Sequence, residues 1–227
     1  MKIVIKIGGS LIQPGEEIDL ELVSKYAEII RRLKREGHQL VIVVGGGVIA
    51  RKYIEAMRKL EAPESICDLL GIKITRLNAY ILISAVGDDV YPKVPESLEE
   101  AISVFSMGKI VVMGGLQPGQ STNAVAALLA ESIRADILVN ATTVDGVYTA
   151  PPETPGAKKL AQVTTEQLME IMRSSTEFKA GEYRLFDPLA ILIVRRAKLL
   201  VKIVDGRNPQ NVLKAIKGEK VGTTIIP

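Results

Sequence analysis

Apolar positions along the chain fall into two alternating rhythms. Lys2–Ile7 and Gln39–Val44 are short β-branched runs, apolar at nearly every position and each stopped by glycine. Unbroken apolarity at this length predicts strands covered on both faces, as in a parallel sheet. Between them, Asp19–Glu36 sets Val23, Tyr26, Ala27, Ile30 and Leu33 on one helical stripe, and Gly37 closes it. The alternation continues, with helices predicted over Val48–Leu60, Ser65–Val86, Ser97–Met107 and Ala124–Ala135, and strands over Ile110–Met113 and Ile137–Ala141. Val144–Thr149 reads as a hairpin or a wandering loop, and Pro151, Pro152 and Pro155 mark a mobile loop. Thr164–Arg173 reads as a helix capped by Thr164. Asp187 and Pro188 open another, as N-cap and first helical position, running to about Ala197. Leu199–Val204, Pro209–Lys217 and Thr223–Ile226 complete the series as strand, helix and strand. Regular alternation implies right-handed crossovers and an α/β fold: a mainly parallel sheet with helices on both faces, in a single domain with no separating linker.

Composition sharpens this picture in a few places. With 47% apolar residues, no Trp and only 4% aromatics, the core must be aliphatic. The net charge of +3 is small, and no Lys/Arg block is interleaved with aromatics, so nothing argues for nucleic acid. Cys67 is the only cysteine and His38 the only histidine, which excludes an intrachain disulfide and the usual His/Cys zinc site. His38 itself reads as a loop residue before a strand. No run approaches about 18 consecutive apolar residues, so no membrane span is expected. Lys6 and Gly8-Gly9 interrupt the amino-terminal apolar run too early for a signal peptide, and a cytoplasmic protein is expected.

The candidate chemistry lies where strands end. Ile7 precedes Gly8-Gly9, Val44 precedes Gly45-Gly46-Gly47, and Met113 precedes Gly114-Gly115. Ligands of open parallel sheets bind outside the carboxyl ends of the strands. Glycine lets backbone N–H groups approach them, and the following helix adds its positive end. Three such turns are expected to surround a chain of phosphates. The P-loop pattern is absent. Gly45–Ala50 satisfies a relaxed dinucleotide fingerprint, G-x-G-x-x-A, with Asp68 near the offset of a ribose-binding acid, so a nicotinamide-dependent enzyme is the alternative. That acid should end a second strand, whereas Tyr53–Leu69 is polar, contains Pro63 and looks helical. Lys6 stands inside an apolar strand one residue before its glycine turn. It is either an edge lysine facing water or a cation reaching into the crevice. The second role suits phosphoryl transfer, which needs positioning and charge neutralisation more than covalent help.

Three segments, Lys6–Ser10, Gly45–Gly47 and Thr143–Tyr148, together resemble the amino acid kinase superfamily. Asp68–Ile72, Gly114–Thr122 and Asp187–Ala190 resemble its archaeal UMP kinases. The resemblance runs over essentially the whole chain in the right order. It implies a three-layer αβα sandwich, usually hexameric, with an amino-terminal acceptor half, a carboxy-terminal ATP half, and Mg²⁺ arriving with ATP. It makes Lys6 the catalytic residue. Gly9, Ser10, Gly47, Arg51, Thr142, Thr143 and Tyr148 would contact ATP. Gly46, Asp68, Leu116, Gln117, Pro118, Gly119, Gln120, Ser121 and Thr122 would contact UMP, with Asp68 on its ribose hydroxyls. Three positions depart from the family pattern: Thr143 where Asn is common, Pro151 where Asp is common, and Leu192 where archaeal relatives often carry Lys. Isopentenyl phosphate kinases of the same superfamily use a His soon after the second glycine turn, and Val48–Leu60 has none. A non-catalytic nucleotide sensor on the same fold is the remaining alternative class.

Overall fold

The computed structural model describes residues 1–150, 152–174 and 186–227, with the side chains of 173 and 174 outside the description. Pro151 therefore lies outside the described residues. In chain order the elements are β1 (Lys2–Ile7), α1 (Gly9–Ile12), α2 (Leu20–Arg35), β2 (Gln39–Val44), α3 (Gly47–Lys59), α4 (Glu64–Val86), α5 (Leu98–Ser106), β3 (Val111–Met113), α6 (Thr122–Ser132), β4 (Ile137–Thr142), β5 (Val147–Tyr148), β6 (Lys159–Leu160), β7 (Gln162–Thr164), α7 (Thr165–Ser174), α8 (Pro188–Arg196), β8 (Val201–Asp205), α9 (Gln210–Ile216) and β9 (Thr223–Ile226).

A seven-stranded sheet runs in the order β3-β2-β1-β4-β8-β9-β7. All its pairs are parallel except β8 with β9. Helices α2 and α4 pack on β2 and on each other, while α6 packs on β1, β2 and β4 and against α8, so the sheet is sandwiched between two helical layers. Cover on both faces explains why Ile3, Val4 and Ile5, which alternate in direction, are all buried. The core is aliphatic as composition requires, with Tyr26 and Phe186 its largest fully buried side chains. Helix α4 is the one described helix long and apolar enough to cross a membrane by length and composition. Half of that window is buried inside the fold, against α2, α3 and the sheet.

Topology sets the place for a site. From β1 the chain moves outward to β2 and β3, then returns across the sheet to place β4 on the other side of β1. The β1/β4 boundary is thus the switch point, where connections leave in opposite directions and open a crevice at the carboxyl ends.

Most elements follow the sequence pattern. Asp19, Ser97 and Asp187 cap α2, α5 and α8 through their side chains. Thr164 and Gln167 form a reciprocal capping box at α7. Two expectations need correction, and one open alternative resolves to its hairpin form. Gly9-Ser10 is not a plain tight turn but opens the one-turn helix α1, because burying Leu11 and Ile12 pulls the chain into a coil under the sheet edge. The segment after Val144 pairs as the antiparallel ribbon β5–β6, which needed Lys159-Leu160 as a distant partner. Helix α6 starts at Thr122, not Ala124, because Ser121 supplies its cap.

Candidate active site

The first two glycine turns meet backbone to backbone. A Cβ on Gly9 would lie 2.0 Å from Gly47 N and 2.5 Å from Gly45 C. Gly47 has φ +70°, and its own Cβ would lie 2.7 Å from Gly9 O. Only glycine fits this contact. Sheet hydrogen bonds fix both turns, with Gly45 N donating to Ile7 O (3.0 Å) and Gly8 N to Ala141 O (2.9 Å). The buried amide of Asn78 on α4 donates to Gly45 O at 2.9 Å. Arg51 on α3 donates to Ser10 Oγ at 3.3 Å, which places these two predicted residues side by side.

The third turn sits at the same sheet edge but has a different reason for its glycines. A Cβ on Gly114 would lie 2.3 Å from Thr75 Oγ1, and Gly115 N donates to that oxygen at 2.7 Å. Its glycines are needed to admit α4 against the strand end. The loop that follows carries Gln117, Pro118 and Gly119 out to the surface between the half-buried Leu116 and Gln120. Gly119 N donates to Asp68 Oδ2 at 2.9 Å, tying the loop to α4. Gln120 Oε1 is shielded from solvent yet accepts no hydrogen bond from the described residues.

Lys6 lies at the switch point, paired with Val43 on one side and Asn140 on the other. It is not an edge lysine facing water. Burial pushes its ammonium down from 10.5 to about 8, and the field of Asp187 opposes that shift. Asp187 has two further tasks. Its Oδ1 accepts from Ala190 N at 3.0 Å, capping α8, and its Oδ2 accepts from Ser121 Oγ. Ser121 Oγ in turn accepts from Asn123 N and Ala124 N, both at 3.1 Å, capping α6. The N-termini of α6 and α8 are thus cross-linked through their caps, and the Asp187 carboxylate within them is near enough for its field to act on Lys6. Asn140 donates to Asn123 Oδ1 at 3.4 Å beside this cluster.

Sequence reading missed Asn78, Asn123 and Asn140 as well as the link from Asp187 to Lys6. A lone amide in the otherwise apolar Ile137–Ala141 run was the available signal for Asn140.

On the carboxy-terminal side, Thr142 is buried beneath Gly8, and its carbonyl accepts from Gly206 N at 2.7 Å. Thr143 follows at the strand end. Tyr148 donates to Asp145 Oδ1 at 2.9 Å. The Lys159 ammonium at 2.9 Å, with that hydroxyl, holds the Asp145 carboxyl below its usual range. Leu192 is 52% exposed on α8, so the family's lysine position faces outward here.

The amino acid kinase family model matches residues 1–205. The chain belongs to the amino acid kinase family. Within it, the chain is 46% identical over 228 residues to a uridylate kinase of Methanothermobacter thermautotrophicus, covering all of both chains. It is 49% identical over 226 residues to that of Methanocaldococcus jannaschii, covering 99% of each. The crystal structure of uridylate kinase from Archaeoglobus fulgidus superposes with a TM-score of 0.88 at 42% identity, covering 99% of this chain and 100% of that one. Family membership removes the nicotinamide alternative. The glycine that looked like a dinucleotide fingerprint is in fact packed against α1.

The charge state of Lys6 gives this family member a pH signature. Only the ammonium form neutralises an anion, so kcat/KM should fall as pH rises through about 8. The stability of the unliganded chain should move the other way. Between about 8 and 10.5 the unfolded chain binds the Lys6 proton and the folded chain does not, so this group's contribution to stability rises with pH across that window. Asp187→Asn keeps a good helix cap but removes the opposing field. It should therefore move the alkaline limb below its wild-type position in a pH–rate profile, and an unmoved limb would separate Asp187 from Lys6.

Proposed function

We propose that the chain is a UMP kinase that transfers the γ-phosphoryl group of ATP to UMP in the cytoplasm. The observation that carries this reading is the placement of Lys6 at the switch point, within the field of Asp187 and beside the fused turns at Gly8–Ser10 and Gly45–Gly47. A phosphate oxygen of UMP is already anionic, so transfer needs no general base. Lys6 and the N–H groups of Gly8, Gly9, Gly46 and Gly47 would stabilise charge on the group in transit. Gly9, Ser10, Gly47, Arg51, Thr142, Thr143 and Tyr148 would hold ATP. Gly46, Asp68 and Leu116–Thr122 would hold UMP.

Gln120 supports the acceptor assignment. A shielded acceptor without a donor is costly, and the N3–H of uracil would match it. Mg²⁺ would enter with ATP and draw charge off its phosphates. Such a cation would keep several waters and be carried mainly by the phosphates.

A coupled ADP-release assay across UMP, dUMP, CMP, AMP and isopentenyl phosphate tests the reading. UMP should be turned over fastest, and preference for isopentenyl phosphate would overturn it. Asp68→Ala should raise KM for UMP by about tenfold to a hundredfold with little change in KM for ATP, since it removes both a ribose contact and the tie to Gly119.

We also propose assembly into a hexamer. Leu77 is 62% exposed on α4, where Ile66, Leu69 and Tyr80 recur with it at helical spacing as exposed apolar side chains, the kind of face that marks an interaction surface. Sedimentation should find the wild type assembled and Leu77→Lys shifted to smaller species.

A further inference from the structure

A cavity of about 760 Å³ opens between α2 and the loop from β8 into α9, lined by none of the residues assigned above to ATP or UMP. Lys25, Arg32 and Arg35 from α2 and Arg207 from the loop stand on its wall, with Glu28 the only carboxylate among them. Ile29 and Leu213 give it an apolar floor. The volume falls in the range of small-molecule sites, roughly 300–1,000 Å³.

We propose that this cavity is a second anion site, which takes the polyphosphate of a nucleotide-sized ligand and reports its occupation to the ATP side through Arg207. Three of the cations are steadied by carboxylates at the rim: Lys25 by Glu21 at 2.5 Å, Arg32 by Glu36 at 2.8 Å and Arg207 by Asp205 at 2.7 Å. These are exposed pairs, which are weak in water, so a multiply charged phosphate displaces them readily. Arg35 has no carboxylate partner among the described residues. Guanidinium forks suit phosphate better than ammonium groups do, and three of the four cations are arginines.

The route to the active site is short. Asp205 ends β8 in register with Thr142. The next residue, Gly206, donates to Thr142 O at 2.7 Å and accepts from the buried Tyr26 hydroxyl at 2.8 Å. Asp205 and Asp145 repel one another, and Asp145 holds Tyr148. A ligand that draws Arg207 away leaves Asp205 uncompensated and adds negative charge on the side assigned to ATP. Occupation of the cavity should therefore weaken ATP binding. This coupling rests on the kinase reading, whereas the binding itself does not.

Isothermal titration with inorganic tripolyphosphate tests the binding, using full-length protein saturated with UMP and a non-hydrolysable ATP analogue. One further equivalent should bind, with affinity falling as salt is raised, and Arg35→Glu should weaken it at least tenfold. No binding beyond the filled site, or equal binding by Arg35→Glu, overturns the proposal. Steady-state kinetics test the coupling. Tripolyphosphate should raise KM for ATP more in the wild type than in Arg35→Glu, whose basal activity is unchanged. An equal rise in both means competition at the ATP site alone and sinks the coupling. The titration still compares wild type with Arg35→Glu if the chain turns over no UMP.

Discussion

Lys6→Ala is expected to lower kcat by about a thousandfold while leaving the affinity for UMP within a few-fold of wild type. The asymmetry follows from position. Lys6 stands at the β1/β4 boundary, whereas most of the groups assigned to UMP, Gly46 apart, reside on α4, on the loop it secures through Asp68 and Gly119, and at the start of α6. Its ammonium is already partly stripped of water, as its lowered pKa near 8 records, so its field is strong and needs little reorganisation when charge develops. Phosphoryl transfer demands that kind of fixed positive potential. Steady-state kinetics with calorimetric UMP binding would measure both halves. Near-normal turnover would remove Lys6 from the mechanism, and a matching loss of UMP affinity would make it a binding residue.

Gly9→Ala is expected to cost about 3 kcal/mol or more of stability, with activity at least a hundredfold lower. The added methyl would sit 2.0 Å from Gly47 N, 2.5 Å from Gly45 C and 2.6 Å from Gly46 N. A Cβ has no rotamer by which to escape, and all three neighbours are backbone. Relief requires moving one strand end away from another inside a hydrogen-bonded sheet. In a chain of this size the loss corresponds to a fall in Tm of roughly 6–12 °C. Gly15→Ala is the control, since nothing lies within 4 Å of the position its Cβ would take. Thermal melts of the two variants decide the matter: equal Tm values would mean that the turns can part.

The larger part of the architecture was legible because its signals are local. β1, β2 and β9 have the predicted limits, since each is a β-branched run bounded by turn residues. The caps at Thr164 and Asp187 follow from side-chain chemistry visible in one turn of sequence, and Asp19 and Ser97, read only as helix starts, cap in the same way. β6 and β7 were not legible. They are two and three residues long, and partners far along the chain hold them in place. In the site, proximity to glycine was readable but purpose was not. Gly9 and Gly114 look alike as strand-end glycines, yet one fits against another loop and the other against a helix that precedes it by forty residues or so. The Ser121–Asp187–Lys6 cluster joins three distant segments, so no window of sequence could display it.

The contact between Gly9 and the Gly45–Gly47 backbone also bears on how substrates come and go. Two loops that touch main chain to main chain cannot flex separately, so these two strand ends move as one stiff body. The 116–120 loop is held differently, by the single tie, among the described residues, of Gly119 to Asp68, whereas the β5–β6 ribbon is fixed to β9 through Thr223, which accepts from Val147 N and donates to Leu160 O. Of the two, the 116–120 loop is therefore the one free to rise without breaking a sheet.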